Sequence, residues 1–314
     1  MIVALGLLAA VGVLGFAAPR WLDRLAAPHR HPRVSLAAWL SSQVMFVASI
    51  AAIPLVLWLR PGDRWHLLPA TTVACIRSLR EAGTVPWILA IETATWGVGV
   101  LLFGWLVGTV SGGLLRHRRD SDERASMLRL VGDNVAGDGA NVVRVHGGEF
   151  EAYSIGGRVP TIVLGAGAAG LDPDVRAAVL AHERAHLRGR HHLLVAWADA
   201  LRAALPAVPL AREGAAWVRV LVELSADRHA AASCGCGALS AALLAGSGNG
   251  RGAASADTGF AEDRIAWLSG LRATRRGAAV LHYPFAFVLS ALPVFATLSV
   301  VVTAIAYYCA MLGG

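Results

Sequence analysis

Four stretches of the chain, at residues 2–18, 35–59, 94–115 and 285–312, are apolar almost without interruption. Each approaches the ~20 residues a helix needs to cross the ~30 Å hydrocarbon core of a bilayer. The pattern therefore predicts about four transmembrane helices, three ahead of a polar central region and one behind it. The first run lacks a basic stretch before it and reads as a retained anchor, not a cleaved signal peptide. Between the third and fourth runs the period changes. Residues 142–146, 151–154 and 161–165 read as short strands punctuated by Gly147, Gly148, Gly156 and Gly157. A helix is predicted next. Asp172 offers its N-cap, Pro173 suits its first position, Asp174 complements the dipole, and Val175, Val179 and Leu180 supply an apolar face. It should run to about Leu187, where Gly189 stops it. Residues 193–210 are apolar again, but Asp199 and Arg202 interrupt them and Pro206 and Pro209 break their continuity. An interfacial or buried hairpin fits that stretch better than a span. A further helical run is expected over 215–232, and a Gly, Ser and Ala-rich loop over 244–259.

The expected fold class is a mainly α membrane protein, with about four transmembrane helices and a small α+β domain inserted before the last span. Residues 1–115 would form the N-terminal membrane region, 116–283 the α+β domain and 284–314 the last helix. Composition agrees: 56% of the 314 residues are hydrophobic and mean hydropathy is +0.56, beyond the range of an ordinary soluble domain. The net charge of +7 raises the question of nucleic acid. Its arginines, however, cluster beside the apolar runs, where they set orientation and meet anionic lipid headgroups. No direct nucleic-acid binding is expected. Arg20, Arg24, Arg30 and Arg33 follow the first run, and Arg116, Arg118, Arg119, Arg124 and Arg129 follow the third. Those loops are assigned to the cytoplasm of a multi-pass plasma-membrane protein, which puts the α+β domain on the cytoplasmic side. Cys75, Cys234, Cys236 and Cys309 are scattered and make no disulfide framework.

The chemistry lies on the predicted helix. His182-Glu183-Arg184-Ala185-His186 is an HExxH sequence, which projects two imidazoles from one helix face a turn apart, as a tetrahedral zinc site requires. Glu183 then stands beside the metal, where it can take a proton from water that the ion has made acidic. Catalysis needs a third protein ligand and an open fourth position. Glu223 is one candidate: it shares a helix face with Asp227, which can accept the free ring N–H of a ligating histidine and fix its tautomer. His192 is the other, because residues 182–192 also spell HExxHxxGxxH with Gly189 at the turn. That extended pattern is used with a downstream Met-turn, and the only methionine after His192 is Met311, inside the last apolar run.

The segments AVLAHERAHLRGRHH, ELSADRHA and EDRIAWL, set between N-terminal apolar runs and a C-terminal one, resemble the BlaR/MecR-type membrane metallopeptidases. The chain is similar, more distantly, to the HtpX and Ste-type peptidases, which share HExxH followed by an ExxxD element. The resemblance implies a zincin-like domain that binds zinc through His182, His186 and Glu223, with Glu183 as general base and Asp227 behind a ligand. Arg264 would then stabilise the oxyanion or anchor a helix, and residues 161–165 would form the edge strand along which an extended substrate pairs. It also implies proteolysis of a cytoplasmic protein, such as a winged-helix repressor of the BlaI type, in signal transduction. HtpX-like quality control and a non-catalytic membrane sensor are the alternatives. Antibiotic-sensing relatives carry an extracellular penicillin-binding domain after the last span, and no beta-lactam sensing is expected of a sequence that closes on that span.

Overall fold

A computed structural model of the chain describes residues 2–25, 31–58, 86–135, 141–146, 152–247, 264 and 267. It is mostly helical. The chain begins with α1 (Ile2–Phe16), α2 (Ala18–Leu25), α3 (Pro32–Trp58) and the long α4 (Pro86–Val131). Four strands follow: β1 (Asp133–Val135), β2 (Asn141–Val145), β3 (Ala152–Ile155) and β4 (Thr161–Gly165). The short α5 (Ala166–Ala169) then leads to α6 (Pro173–Arg188), α7 (His191–Ala204), α8 (Pro209–Cys234) and α9 (Cys236–Ser247).

Among the described residues, two helices are long and apolar enough to cross a membrane, through Pro32–Ile53 of α3 and Trp96–Val131 of α4. Along α4, Val98, Leu101 and Trp105 are exposed at 63%, 73% and 51%, an apolar outer face of the kind that water disfavours and lipid accepts. The helix then changes character without breaking: from Arg116 onward it is densely charged, yet it continues to Val131. The expected junction between residues 115 and 116 thus lies inside one continuous helix. α1 has 15 residues, about 22 Å of helix, short of the ~30 Å of hydrocarbon. The predicted fourth span at 285–312 and most of the 244–259 loop lie outside the described residues.

One helical core joins the apolar N-terminal helices to those that follow the sheet. Leu14, Trp39, Leu106, Leu201, Leu210 and Leu221 are all buried in it. The hairpin expected over 193–210 is present as α7, a turn and the start of α8, packed in this core. Where α3 crosses α8, Gly214 leaves room for Gln43, because a Cβ there would lie 2.3 Å from Gln43 Nε2. Gln43 is fully buried in a helix otherwise rich in apolar residues, and its Oε1 accepts a hydrogen bond from Trp197 Nε1 at 3.1 Å. That hydrogen bond satisfies the amide oxygen of Gln43 and ties α3 to α7.

The sheet has the order β1-β2-β4-β3. β1 and β3 each pair with one antiparallel neighbour, while β2 and β4 run parallel in the centre. Residues 161–165 are therefore an interior strand, correcting their expected edge position. Their burial explains it: all five residues of Thr161–Gly165 are buried, as a strand covered on both faces must be. The edge facing away from β4 belongs to β3. α6 packs beside β3 and β4 on one side and along α8 on the other.

Candidate metal centre

Local sequence chemistry sets the position of α6. Asp172 caps it by accepting the N–H of Asp174 at 3.0 Å, Pro173 occupies its first turn, and the N–H of Gly189 closes it by donating to Ala185 O at 2.9 Å. Within that frame His182 and His186 stand one turn apart, and their Nε2 atoms approach to 3.0 Å. α8 brings in Glu223, with Oε2 3.3 Å from His182 Nε2 and Oε1 3.4 Å from His186 Nε2. One donor atom from each of the three residues lies within 4.8 Å of the others, a group able to hold a metal ion.

The outward-facing ring nitrogens are also held. His182 Nδ1 lies 3.0 Å from Asp227 Oδ1, an ion-pair approach in which the ring N–H is not aligned on the oxygen. Asp227 is fully buried and is gripped in turn by Arg264, whose Nε and NH2 groups donate to its two oxygens at 2.6 Å each. Arg264 NH2 also lies 3.4 Å from Glu223 Oε2, so one guanidinium orders both Glu223 and Asp227 of α8. His186 is braced differently. Its Nδ1 lies 3.1 Å from Nδ1 of His191, and the rings meet edge to face. Sequence periodicity gives no sign of His191. It reaches His186 because Arg190 adopts a left-handed conformation (φ 48°), which turns α7 back across the end of α6. Gly189 permits that approach, since a Cβ there would lie 2.3 Å from His191 Nε2.

His192 is placed elsewhere. Its ring stacks on His117 of α4 with centroids 6.0 Å apart, and it covers Gly156 in the β3–β4 turn. It takes no part in the three-residue group.

The charges are mutually dependent. Burial alone would lower His182, but contacts with Asp227 and Glu223 overcome it and raise its pKa to about 10. Burial works against ionised Glu223 too, yet His182 and His186 hold it well below the usual carboxylate range. For Asp227, burial is likewise outweighed, by His182 and Arg264, and its pKa is lowered. Glu223 sits deep between helices while 33% of its side chain remains accessible through the adjoining cavity. His191 falls to about 4, through burial first and the neighbouring His186 second. A neutral His191 can offer its Nδ1 lone pair to the N–H of His186 and keep its own proton on Nε2.

Glu183 is buried, and burial raises its pKa. His182 and His186 oppose that rise, as does hydrogen bonding with Ser154 of β3. The cavity beside these groups, about 420 Å³, is lined by Tyr153 and Ser154 from β3, by Glu183 and Glu223, and by Leu239 and Leu243 from α9. A carboxylate able to exchange a proton, a trio of metal donors and a strand edge therefore meet in one cleft.

Comparison with protein-family models, curated proteins and solved structures finds no match to this chain.

Proposed function

We propose that the chain is a membrane-bound zinc endopeptidase that hydrolyses cytoplasmic polypeptide substrates. The observation that carries this reading is the convergence of His182, His186 and Glu223 with Glu183 alongside them. Zinc suits the donors. Two imidazole nitrogens at Zn–N ~2.05 Å in a tetrahedral arrangement stand about 3.3 Å apart, against 3.0 Å between the two Nε2 atoms. Each outward nitrogen is braced, by Asp227 and by His191, as ligating histidines require. When bound, zinc supplies Lewis acidity, acidifying a water molecule and polarising a peptide carbonyl.

The protein's own groups supply the rest. Glu183 accepts the proton of the attacking water and passes it to the departing amine; its raised pKa favours such two-way exchange. Among the described residues β3 is the end strand of the sheet and lines the cleft, so an extended substrate adds alongside it and lays its scissile bond across α6. Tyr153, exposed at 40%, stands beside that path. Orientation toward the cytoplasm follows the arginines after the first and third apolar runs. Regulatory cleavage of a winged-helix repressor follows the resemblance noted above.

The test compares the purified wild-type chain with Glu183→Ala and Glu223→Ala, measuring zinc content and cleavage of a co-expressed proteome. Glu183→Ala should retain zinc and lose cleavage, while Glu223→Ala should lose zinc. Identical cleavage products from wild type and Glu183→Ala would remove the catalytic reading and leave a sensor. Cleavage of many unfolded membrane proteins, in place of one or a few targets, would point to quality control.

A further inference from the structure

A second cavity of about 440 Å³ lies behind the metal donors, between the start of α3 and the α6, α7 and α8 group. Its charge is one-sided. Among the described residues, Arg33, Arg188, His191 and His229 line it, and no carboxylate does. Among the described residues, neither Arg33 nor Arg188 has a carboxylate within ion-pair distance. What holds them is neutral or basic: Arg33 Nε donates to Ser225 Oγ at 3.4 Å, and Arg188 Nη1 lies 3.2 Å from His229 Nε2. The positive charge is that of the two arginines, which repel each other until an anion joins them. Burial, followed by the charges of Arg188 and Arg33, lowers the pKa of His229, as expected beside an unbalanced positive field.

The opposite wall is apolar. Arg33, Leu36, Ala37 and Leu40 fall at helical spacings of three and four and so share one face of α3, with Leu194 of α7 across from them. α3 is also one of the two helices able to cross a membrane, and Arg33 is its second residue. A bilayer crossed by this helix has its phosphate layer near that end, with hydrocarbon beginning further along it. Positive charge at the helix end and leucines one and two turns inward match the division of an anionic lipid into headgroup and chain.

We propose that this cavity binds a phosphate-bearing amphiphile, an anionic phospholipid, with its phosphate between Arg33 and Arg188 and an acyl chain along Leu36, Leu40 and Leu194. Guanidinium groups suit the phosphate because they form paired, charge-assisted hydrogen bonds. His229 and Ser225 add further polar contacts. The bound headgroup touches α8 at Ser225, between Glu223 and Asp227, and α6 at Arg188, one turn from Arg184 and two residues beyond His186. It therefore braces the two helices that carry the metal donors, from the side opposite the cleft. The site itself stands whether or not the chain is a peptidase.

The test is native mass spectrometry of the full chain in neutral detergent with phosphatidylglycerol or phosphatidylcholine added. Wild type should retain one phosphatidylglycerol under activation that strips phosphatidylcholine. The Arg33→Gln/Arg188→Gln double variant should hold it at least about tenfold less tightly. Arg33→Lys, which keeps the charge, should retain it better than Arg33→Gln. Both arginines are exposed, so the single variants serve if the double variant does not fold. Equal retention of phosphatidylglycerol by wild type and the glutamine variants overturns the proposal. Displacement of the lipid by excess inorganic phosphate alone overturns the amphiphile and identifies a small-anion site.

Discussion

The Nδ1 atoms of His186 and His191 lie 3.1 Å apart, with the two rings at 88°. This contact gives the adjacent histidines at 191 and 192 opposite expectations. His191→Ala removes the group that fixes the ring of His186 and should weaken zinc binding about 10- to 100-fold, the usual cost of losing such a partner. His192→Ala removes a ring stacked on His117 and should leave zinc affinity unchanged. Competition with a fluorescent chelator measures both. A greater loss from His192→Ala than from His191→Ala would overturn this assignment.

The contrast between these two histidines also marks how far the sequence could be read. α6 was legible because its signals are local: Asp172, Pro173 and Gly189 each act within a turn of the helix end. The pairing of Glu223 with the HExxH histidines was legible because one helix face carries both Glu223 and Asp227. His191 was not, because its approach depends on the backbone of Arg190, a residue type that rarely adopts φ above zero. Strand order is equally non-local. The resemblance puts Thr161–Gly165 at an edge, whereas the run Thr-Ile-Val-Leu is apolar on both faces, which is the mark of the interior strand it forms. β1, only three residues long, carries too little alternation to be recognised. The full length of α4 is not marked by its apolar pattern, because the apolar run closes at Leu115 while the helix continues to Val131.

Arg264 and Asp227 should behave as one unit. Arg264→Ala leaves a fully buried carboxylate facing, among the described residues, His182 alone, and Asp227→Ala leaves a mostly buried guanidinium facing Glu223. Each single change should destabilise the protein by on the order of 3 kcal/mol, since removing one member of a buried pair exposes the other to the full cost of its burial. The double variant should then cost clearly less than the sum of the two. Thermal or denaturant unfolding of all four proteins completes the cycle, and strict additivity would show that the two residues act separately.

Protons and metal should compete at His182. Its pKa is raised to about 10, above the ordinary 6.5, so the folded protein holds a proton there that the unfolded chain has lost at pH 8. Stability from that proton is fully present below pH 6.5 and disappears as pH rises through about 10. Zinc must displace it, because an imidazole ligates only when deprotonated. Binding at pH 7.5 should therefore release about one proton from His182, and zinc affinity should rise with pH across this window. Calorimetry in buffers of different ionisation enthalpy counts the protons; none released would contradict the arrangement of Asp227 and Glu223 around the ring.

Substrate should engage β3 and not β4. The two strands differ in position: β4 lies between β2 and β3, whereas β3 is, among the described residues, the end strand of the sheet and lines the cleft. An extended peptide that joins a sheet does so beside an end strand and not between two strands already paired. Glu183→Gln, which should keep the zinc ligands while losing the base, permits a substrate peptide to bind without being cut. Hydrogen exchange in that complex should slow at residues 152–155 and stay unchanged at 161–165, where the amides are already protected. Protection that instead appeared on α9, around Leu239 and Leu243, with none on β3 would mean that substrate rests on the apolar side of the cleft. Strand addition would then give way to a side-chain mode of recognition.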